Sequence, residues 1–250
     1  MGFSHKYIGN PVLSGILRLF FNAKISDSHC GMRAIKKDAF NKLNLQTTGM
    51  EFASEMVVKA LKNKLKIKEV PIEYKKRIGQ SKLNSFSDGW KHFRFMLLYS
   101  PLFLFFIPGL ILFLLGFISM IWIYFGSAKI FGVKLFYHPM FLSSLFIVIG
   151  YQLIIFALFA KTYSVIHLKE EGPLMNKLYK YLTIERASLA GFLVFLIGLI
   201  IYLIIFFKWL NSGLGSLDEA KNSIIALTFI IIGVQTIFSS FMLSILSIKH

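Results

Sequence analysis

The sequence predicts a protein of two parts: an α/β segment at the N-terminus, followed by an all-α membrane region of four transmembrane helices. Hydropathy is the first observation, since 56% of the residues are apolar and the mean hydropathy is +0.65. Charge is the second, since residues 1–100 contain 18 of the 28 Lys and Arg residues. The third is a mixture of short helical and alternating patterns within that basic segment.

Four long apolar blocks follow the basic segment. Each is long enough to cross a bilayer, which takes about 20 residues in a helix, and none contains a charged residue. Core helices of soluble proteins rarely stay apolar on every face over such a length. The predicted spans are 102–125, 139–160, 187–207 and 224–248.

The loops between the spans predict the orientation in the membrane. The loop at 161–186 contains five Lys and Arg residues, whereas each of the other two loops contains two. Cytoplasmic loops carry the excess of positive charge. We therefore expect a multi-pass cell-membrane protein whose N-terminal segment, 161–186 loop and C-terminus lie in the cytoplasm.

The basic segment divides into short elements by periodicity. Its second alternating run contains Pro71, a residue that sheets tolerate at their edges. A final helix begins with the caps Ser87 and Asp88 and mixes aromatic with basic residues, as helices in the headgroup layer do. Helices are expected at 11–21, 37–43, 50–63 and 87–100, strands at 30–35 and 66–74, and a loop at 77–87. The predicted domains are 1–86, an interfacial helix at 87–100, and a membrane domain at 101–250.

Composition excludes several classes of protein. Cys30 is the only cysteine, which excludes an internal disulfide and a cysteine-rich metal site. The net charge is +16, and a basic segment beside a membrane suits anionic headgroups or phosphorylated substrates. Nucleic acid is not expected as a partner, because the basic residues are spread over helix and strand patterns and form no aromatic–basic RNA-binding motif.

Two clusters of polar residues could support chemistry. The first contains Asp27, Gly31 and Arg33, where a glycine permits close backbone approach or positive φ and an acid and a guanidinium can share one pocket wall. Its alternative is a turn with a structural salt bridge. The second contains Arg77, Ser81 and Lys82, a set of donors that suits a diphosphate. Its alternative is a solvated charged loop.

Five motifs in a fixed order give these clusters a context. They are an Asp at 27, a Cys-Gly-Met-Arg run at 30–33 and an apolar helix containing Glu at 50–56. A Val-Pro-Ile strand end at 70–72 and a loop with Arg, Gly, Ser and Lys at 77–82 follow. The run from 25 to 82 resembles the C-terminal half of the catalytic domain in family 2 glycosyltransferases. Within that family it resembles the branch of dolichyl-phosphate mannose and glucose synthases. The resemblance implies a partial α/β fold, the C-terminal half of a nucleotide-diphospho-sugar transferase domain.

The resemblance also implies roles for residues. Asp27 matches the acid near the acceptor, a candidate catalytic base or acceptor-orienting group, with turn capping as its alternative. Arg33 would support that carboxylate or an acceptor phosphate. Glu55 lies on the family's acidic helix, with pairing to Lys59 or Lys62 as its alternative. The loop that closes over the nucleotide diphosphate is matched by Arg77, Ser81 and Lys82.

The implied activity is transfer of a hexose from a nucleotide-diphospho-sugar to a polyprenyl or dolichyl phosphate on the cytoplasmic face. The family's Asp-x-Asp metal motif has no match in the sequence, so Mg²⁺ or Mn²⁺ would be held by residues outside this chain. We therefore expect an incomplete enzyme that is inactive alone and needs a separate N-terminal catalytic half; it could also form a homo-oligomer. The alternative is a non-catalytic membrane scaffold or lipid-handling subunit with a degenerate glycosyltransferase remnant.

Overall fold

A computed structural model shows a chain that divides into two units, Met1–Phe103 and Leu104–His250. Each unit is described by itself. The residues that the structure describes are 10–23, 25–27, 30–49, 51–72, 85–126, 129–130, 133–134, 136–166 and 183–248.

Four helices form the described part of the N-terminal unit, and they lie where the sequence predicts helices. They are α1 (Asn10–Phe21), α2 (Lys37–Leu43), α3 (Phe52–Lys62) and α4 (Ser85–Leu98). The first three end where the chain turns into the left-handed region, at Asn22 (φ 49°), Asn44 (φ 43°) and Lys64 (φ 53°). Left-handed residues of this kind commonly terminate helices because they turn the following N–H groups back onto the last carbonyls, as the Leu65 N–H donates to the Ala60 carbonyl at 2.9 Å.

The apolar stripes of α1, α3 and α4 meet in one core. Leu17 of α1, Val58 of α3 and Met96 of α4 are fully buried there. The chain that leaves α1 adds Ala23 and Ile25 to the same cluster. This core therefore fixes the position of the segment that leads to Asp27.

The two predicted strands do not form in the part of the chain that is described. Residues 30–35 and 66–72 have no strand pairing, and positions 73–74 lie outside the described residues. A strand exists only when a neighbouring strand accepts and donates its backbone hydrogen bonds. Local alternation was present, but the described residues of this unit supply no strand partner, so the α/β character predicted for the segment is not observed.

The four predicted membrane spans are confirmed as helices long and apolar enough to cross a bilayer. A π-helical stretch (Leu102–Phe106) leads into α5 (Ile107–Phe125), and together they form the first span, Leu102–Phe125. The other spans are α6 (His138–Ile166), α7 (Ile184–Asn211) and α8 (Ala220–Ser247). Two short antiparallel strands, β1 (Lys129–Ile130) and β2 (Val133–Lys134), lie between α5 and α6.

The spans pack as two close hairpins, α5 with α6 and α7 with α8, and α6 also packs against α8. Gly116 of α5 lies against Ser143 and Ile147, so that a Cβ there would stand 2.6 Å from the Ser143 carbonyl oxygen. In the second hairpin, a Cβ on Gly198 would stand 2.6 Å from the Ala226 carbonyl oxygen. Glycines at such positions let helix backbones approach closely.

Hydroxyl groups join α6 to α8. Ser144 Oγ lies 2.7 Å from Thr228 Oγ1, and Tyr151 Oη lies 2.6 Å from Thr236 Oγ1. The carboxamide oxygen of Gln235 is buried without a hydrogen-bond partner among the described residues. The two hydroxyl pairs therefore add polar contacts to the packing of α6 against α8.

Candidate active site

The turn that carries Asp27 is bound by the carboxylate of Glu69. Both carboxylate oxygens accept the Ser26 N–H, each at 3.0 Å, and one of them also accepts the Ser26 hydroxyl at 2.8 Å. The Asp27 N–H donates to the same carboxylate at 3.2 Å. The two residues of the turn are thereby tied to a segment more than forty positions later in the chain.

The pKa of the Glu69 carboxyl is lowered from its ordinary value. The slight burial and the nearby Asp27 both favour the neutral form, but the hydrogen bonds from Ser26 and Asp27 stabilise the carboxylate more strongly. Glu69 is therefore ionised at neutral pH, and charged acceptors make stronger hydrogen bonds than neutral ones.

Arg33 fixes the other end of the same turn. Its Nε donates to the Cys30 carbonyl at 2.9 Å, and its Nη1 donates to the Ala53 carbonyl at 2.6 Å. Burial lowers the pKa of the Arg33 guanidinium, while the nearby Cys30 and Asp27 oppose that change. The guanidinium therefore ties the turn to the start of α3 and places a positive charge within electrostatic range of Asp27.

Glu55 is completely buried on α3 and holds the preceding turn. Its carboxylate accepts the N–H groups of Gln46 and Thr47, at 3.0 and 2.8 Å, and the Thr47 hydroxyl at 2.6 Å. Lys59, one helical turn later, forms a salt bridge with it at 2.7 Å. The alternative that the sequence left open for Glu55, pairing with Lys59, is formed.

A buried polar pair links α3 to α4. Ser54 Oγ lies 2.9 Å from His92 Nδ1, and both side chains are buried. Sequence reasoning did not find this pair, because one serine and one histidine on separate helices give no pattern. Glu69 was also missed as a site residue, although an acid among lysines directly before Val70 and Pro71 was a signal.

Gly31 differs from its expected role. A Cβ placed on it would meet no atom within 4 Å, and its φ is not positive. Positive φ is therefore wrong for this glycine, whereas close backbone approach to a ligand stays a prediction. The neighbouring Met32 is strongly exposed, so this part of the turn faces outward.

Comparisons with known proteins bear on the family of this chain. Residues 158–247 match the family described as the glycosyltransferase family 2 C-terminal transmembrane region. The chain is also 36% identical over 239 residues to the low-salt glycan biosynthesis hexosyltransferase Agl6 of Haloferax volcanii. The predicted resemblance to family 2 glycosyltransferases is confirmed.

A second relative of this glycosyltransferase type is the dolichyl-phosphate hexose transferase of the same organism, 28% identical over 82 residues. That match covers 32% of this chain and 35% of the relative. The match to the hexosyltransferase covers 96% of this chain and 58% of the relative. The chain thus spans under two thirds of the length of each. No solved structure matches the chain significantly.

The structure brings together part of the site expected for a family 2 glycosyltransferase. Asp27 and Arg33 lie on one braced turn, and Glu55 lies buried behind it on α3, the helix that receives the Arg33 hydrogen bond. The loop residues predicted to bind the diphosphate lie outside the described residues: Arg77, Ser81 and Lys82.

Enzymes of this family commonly use a divalent metal ion. Within the described ranges, no three side chains of His, Cys, Asp or Glu gather closely enough to hold one. Glu55 and Glu69 are occupied by hydrogen bonds from the protein itself. The described residues therefore do not fit a metal centre.

Proposed function

We propose that this chain is the acceptor-side and membrane part of a glycosyltransferase. The reaction would move a hexose from a nucleotide-diphospho-sugar to a polyprenyl or dolichyl phosphate on the cytoplasmic face of the membrane. The observation that carries the proposal is the 36% identity to a hexosyltransferase over 96% of this chain. The braced Asp27 turn and the four apolar helices support it.

In this proposal Asp27 orients the acceptor phosphate or accepts its remaining proton. A phosphate oxygen is already ionised at pH 7, so removal of a proton contributes little to lowering the barrier. Correct placement of the attacking oxygen contributes more, since well-oriented groups can supply several kcal/mol. The role assigned to Asp27 is therefore mainly one of positioning, which requires a turn of fixed geometry.

Arg33 would serve the same acceptor through its charge. Two of its donors are engaged by the Cys30 and Ala53 carbonyls, which holds the guanidinium in place beside Asp27. A fixed positive charge near the acceptor attracts the phosphate without any reorganisation during the reaction. Glu55 would act indirectly, by ordering the start of α3.

On the donor side, the proposal assigns the leaving diphosphate to Arg77, Ser81 and Lys82. A guanidinium gives a forked donor, an ammonium a point charge and a hydroxyl a further donor. Charge on the diphosphate grows as the sugar leaves, so these contacts would strengthen in the transition state. Any Mg²⁺ or Mn²⁺ is assigned to residues other than those described here.

A second candidate function is favoured by one observation. The hydrogen-bonding groups of Glu55 and part of those of Arg33 are used by the protein itself. A non-catalytic membrane scaffold or lipid-handling subunit would use them in this way and would need no free acid. The two candidates differ in whether Asp27 affects sugar transfer.

The test joins the chain to the part of a relative that the chain does not match. The chain is co-expressed with, or fused to, the portion of the Haloferax hexosyltransferase that it does not match, and the chain by itself provides the baseline. Membranes receive radiolabelled nucleotide sugars and a polyprenyl phosphate, and labelled lipid is extracted. We expect the joined protein to transfer sugar. Asp27→Asn should abolish this transfer, and the control Asp38→Asn should leave it intact. If Asp27→Asn transfers as much sugar as the unsubstituted protein, the scaffold is the better assignment.

A further inference from the structure

The contact between Glu69 and the Asp27 turn is unusual for an exposed side chain. Glu69 belongs to a segment whose residues are largely exposed, yet its carboxylate accepts two successive backbone N–H groups and a hydroxyl. Within the described ranges, no strand pairing joins residues 65–72 to residues 25–27. The Glu69 side chain thus supplies a connection that a sheet would otherwise provide.

We propose that Glu69 is a positioning residue that fixes the direction of Asp27 toward the acceptor. This inference rests on the proposed function, in which Asp27 faces the polyprenyl phosphate. Nothing in the motif order or in the names of the relatives assigns a role to Glu69.

The geometry of the turn supports a positioning role. Upstream of Asp27, Ile25 is anchored in the core, and Glu69 holds the N–H groups of the next two residues. Downstream, Arg33 holds the Cys30 carbonyl at 2.9 Å. The backbone that leads into Asp27 is therefore held by the core at Ile25 and by Glu69 at Ser26 and Asp27, which limits the directions open to the Asp27 side chain.

A purely structural role is the competing explanation. The same unit uses the same device at Glu55, whose carboxylate holds the Gln46–Thr47 turn. That carboxylate is completely buried, whereas Glu69 is exposed. Loss of Glu69 should therefore disturb the core little, and its principal local effect should fall on Asp27.

The experiment uses three substitutions. Glu69→Gln keeps the shape but turns one acceptor oxygen into an amide donor that faces N–H donors. Glu69→Asp keeps the charge on a shorter side chain. Lys68→Gln is the matched control, because it neutralises an exposed neighbour with no assigned role.

Two measurements are made on each protein. Hydrogen exchange in the full chain, in nanodiscs, reports protection of the Ser26 and Asp27 amides. Turnover of the joined enzyme described above reports kcat and the KM for the nucleotide sugar. Glu69→Gln should speed exchange at these amides roughly tenfold and lower kcat roughly ten- to a hundredfold at unchanged donor KM, because small misplacements of reacting groups are costly. Glu69→Asp should recover part of kcat, and Lys68→Gln should match the wild type.

The outcomes separate the inference from the proposed function. If Asp27→Asn abolishes transfer and Glu69→Gln leaves kcat unchanged, Glu69 is structural and the inference is overturned while the function stands. Unchanged exchange at Ser26 and Asp27 in Glu69→Gln overturns it equally. If the joined enzyme transfers sugar and Asp27→Asn does so equally well, the role of Asp27 fails, and the inference falls with it.

Discussion

Replacement of Glu55 by Gln should loosen α3 and the turn before it. The Glu55 carboxylate is fully excluded from solvent and accepts hydrogen bonds from Gln46 and Thr47 while pairing with Lys59. Glutamine keeps the volume of the side chain but loses the charge and one acceptor. It also leaves the Lys59 ammonium without its partner carboxylate.

The size of the effect follows from the pKa of Glu55. Burial alone would raise this pKa, but Lys59, Thr47 and Gln46 together hold it at about 2, against an ordinary value of 4.5. The difference corresponds to about 3–3.5 kcal/mol of stabilisation at neutral pH. Because the native carboxyl binds its proton less tightly than the unfolded one, this stabilisation is present above about pH 4.5 and is lost as the pH falls toward about 2.

Native-state hydrogen exchange measures this loss locally. In Glu55→Gln, the amides of α3 should exchange roughly a hundred- to several-hundredfold faster at neutral pH, and the difference from the wild type should shrink at low pH. Glu51→Gln is the matched control, since Glu51 lies one turn earlier and is partly exposed; it should change opening by less than about 1 kcal/mol. Equal exchange in Glu55→Gln and the wild type would refute the reasoning.

Three further predictions concern the membrane and the donor loop. Gly116→Ala should destabilise the α5–α6 hairpin by about 1–3 kcal/mol, because the added Cβ meets backbone atoms. Thermal melting in detergent measures this loss. Gly89→Ala is the control that should be tolerated, because its Cβ meets open space. In the joined enzyme, Arg77→Ala should slow turnover roughly ten- to a hundredfold and Arg77→Lys should restore little, because a point charge does not replace the fork; equal rates would remove the diphosphate role. Single cysteines introduced at Ser127, Asn176 and Ser212 test the topology. External labelling should mark positions 127 and 212 and spare position 176, and the reverse pattern would invert the topology.

Much of the candidate site was predictable as residue types, but its contacts were not. The order of motifs pointed to Asp27, Arg33 and Glu55, and the comparisons confirm the family resemblance behind it. The sequence did not indicate that Arg33 would bind the Ala53 carbonyl or that Glu69 would hold Asp27. Each of these contacts joins residues about twenty or more positions apart, and sequence spacing carries no information on such approach.

The sequence by itself determined the four membrane helices and the helices of the basic segment. A span is decided by the transfer of about 20 consecutive side chains into the bilayer, and an amphipathic helix by neighbours within two turns. Only the tertiary structure decided that Gly116 meets Ser143 and that α6 rather than α5 joins the second hairpin most extensively. It also decided that the alternating runs at 30–35 and 66–72 remain unpaired, because a strand is stabilised by hydrogen bonds to a distant segment and not by its own pattern.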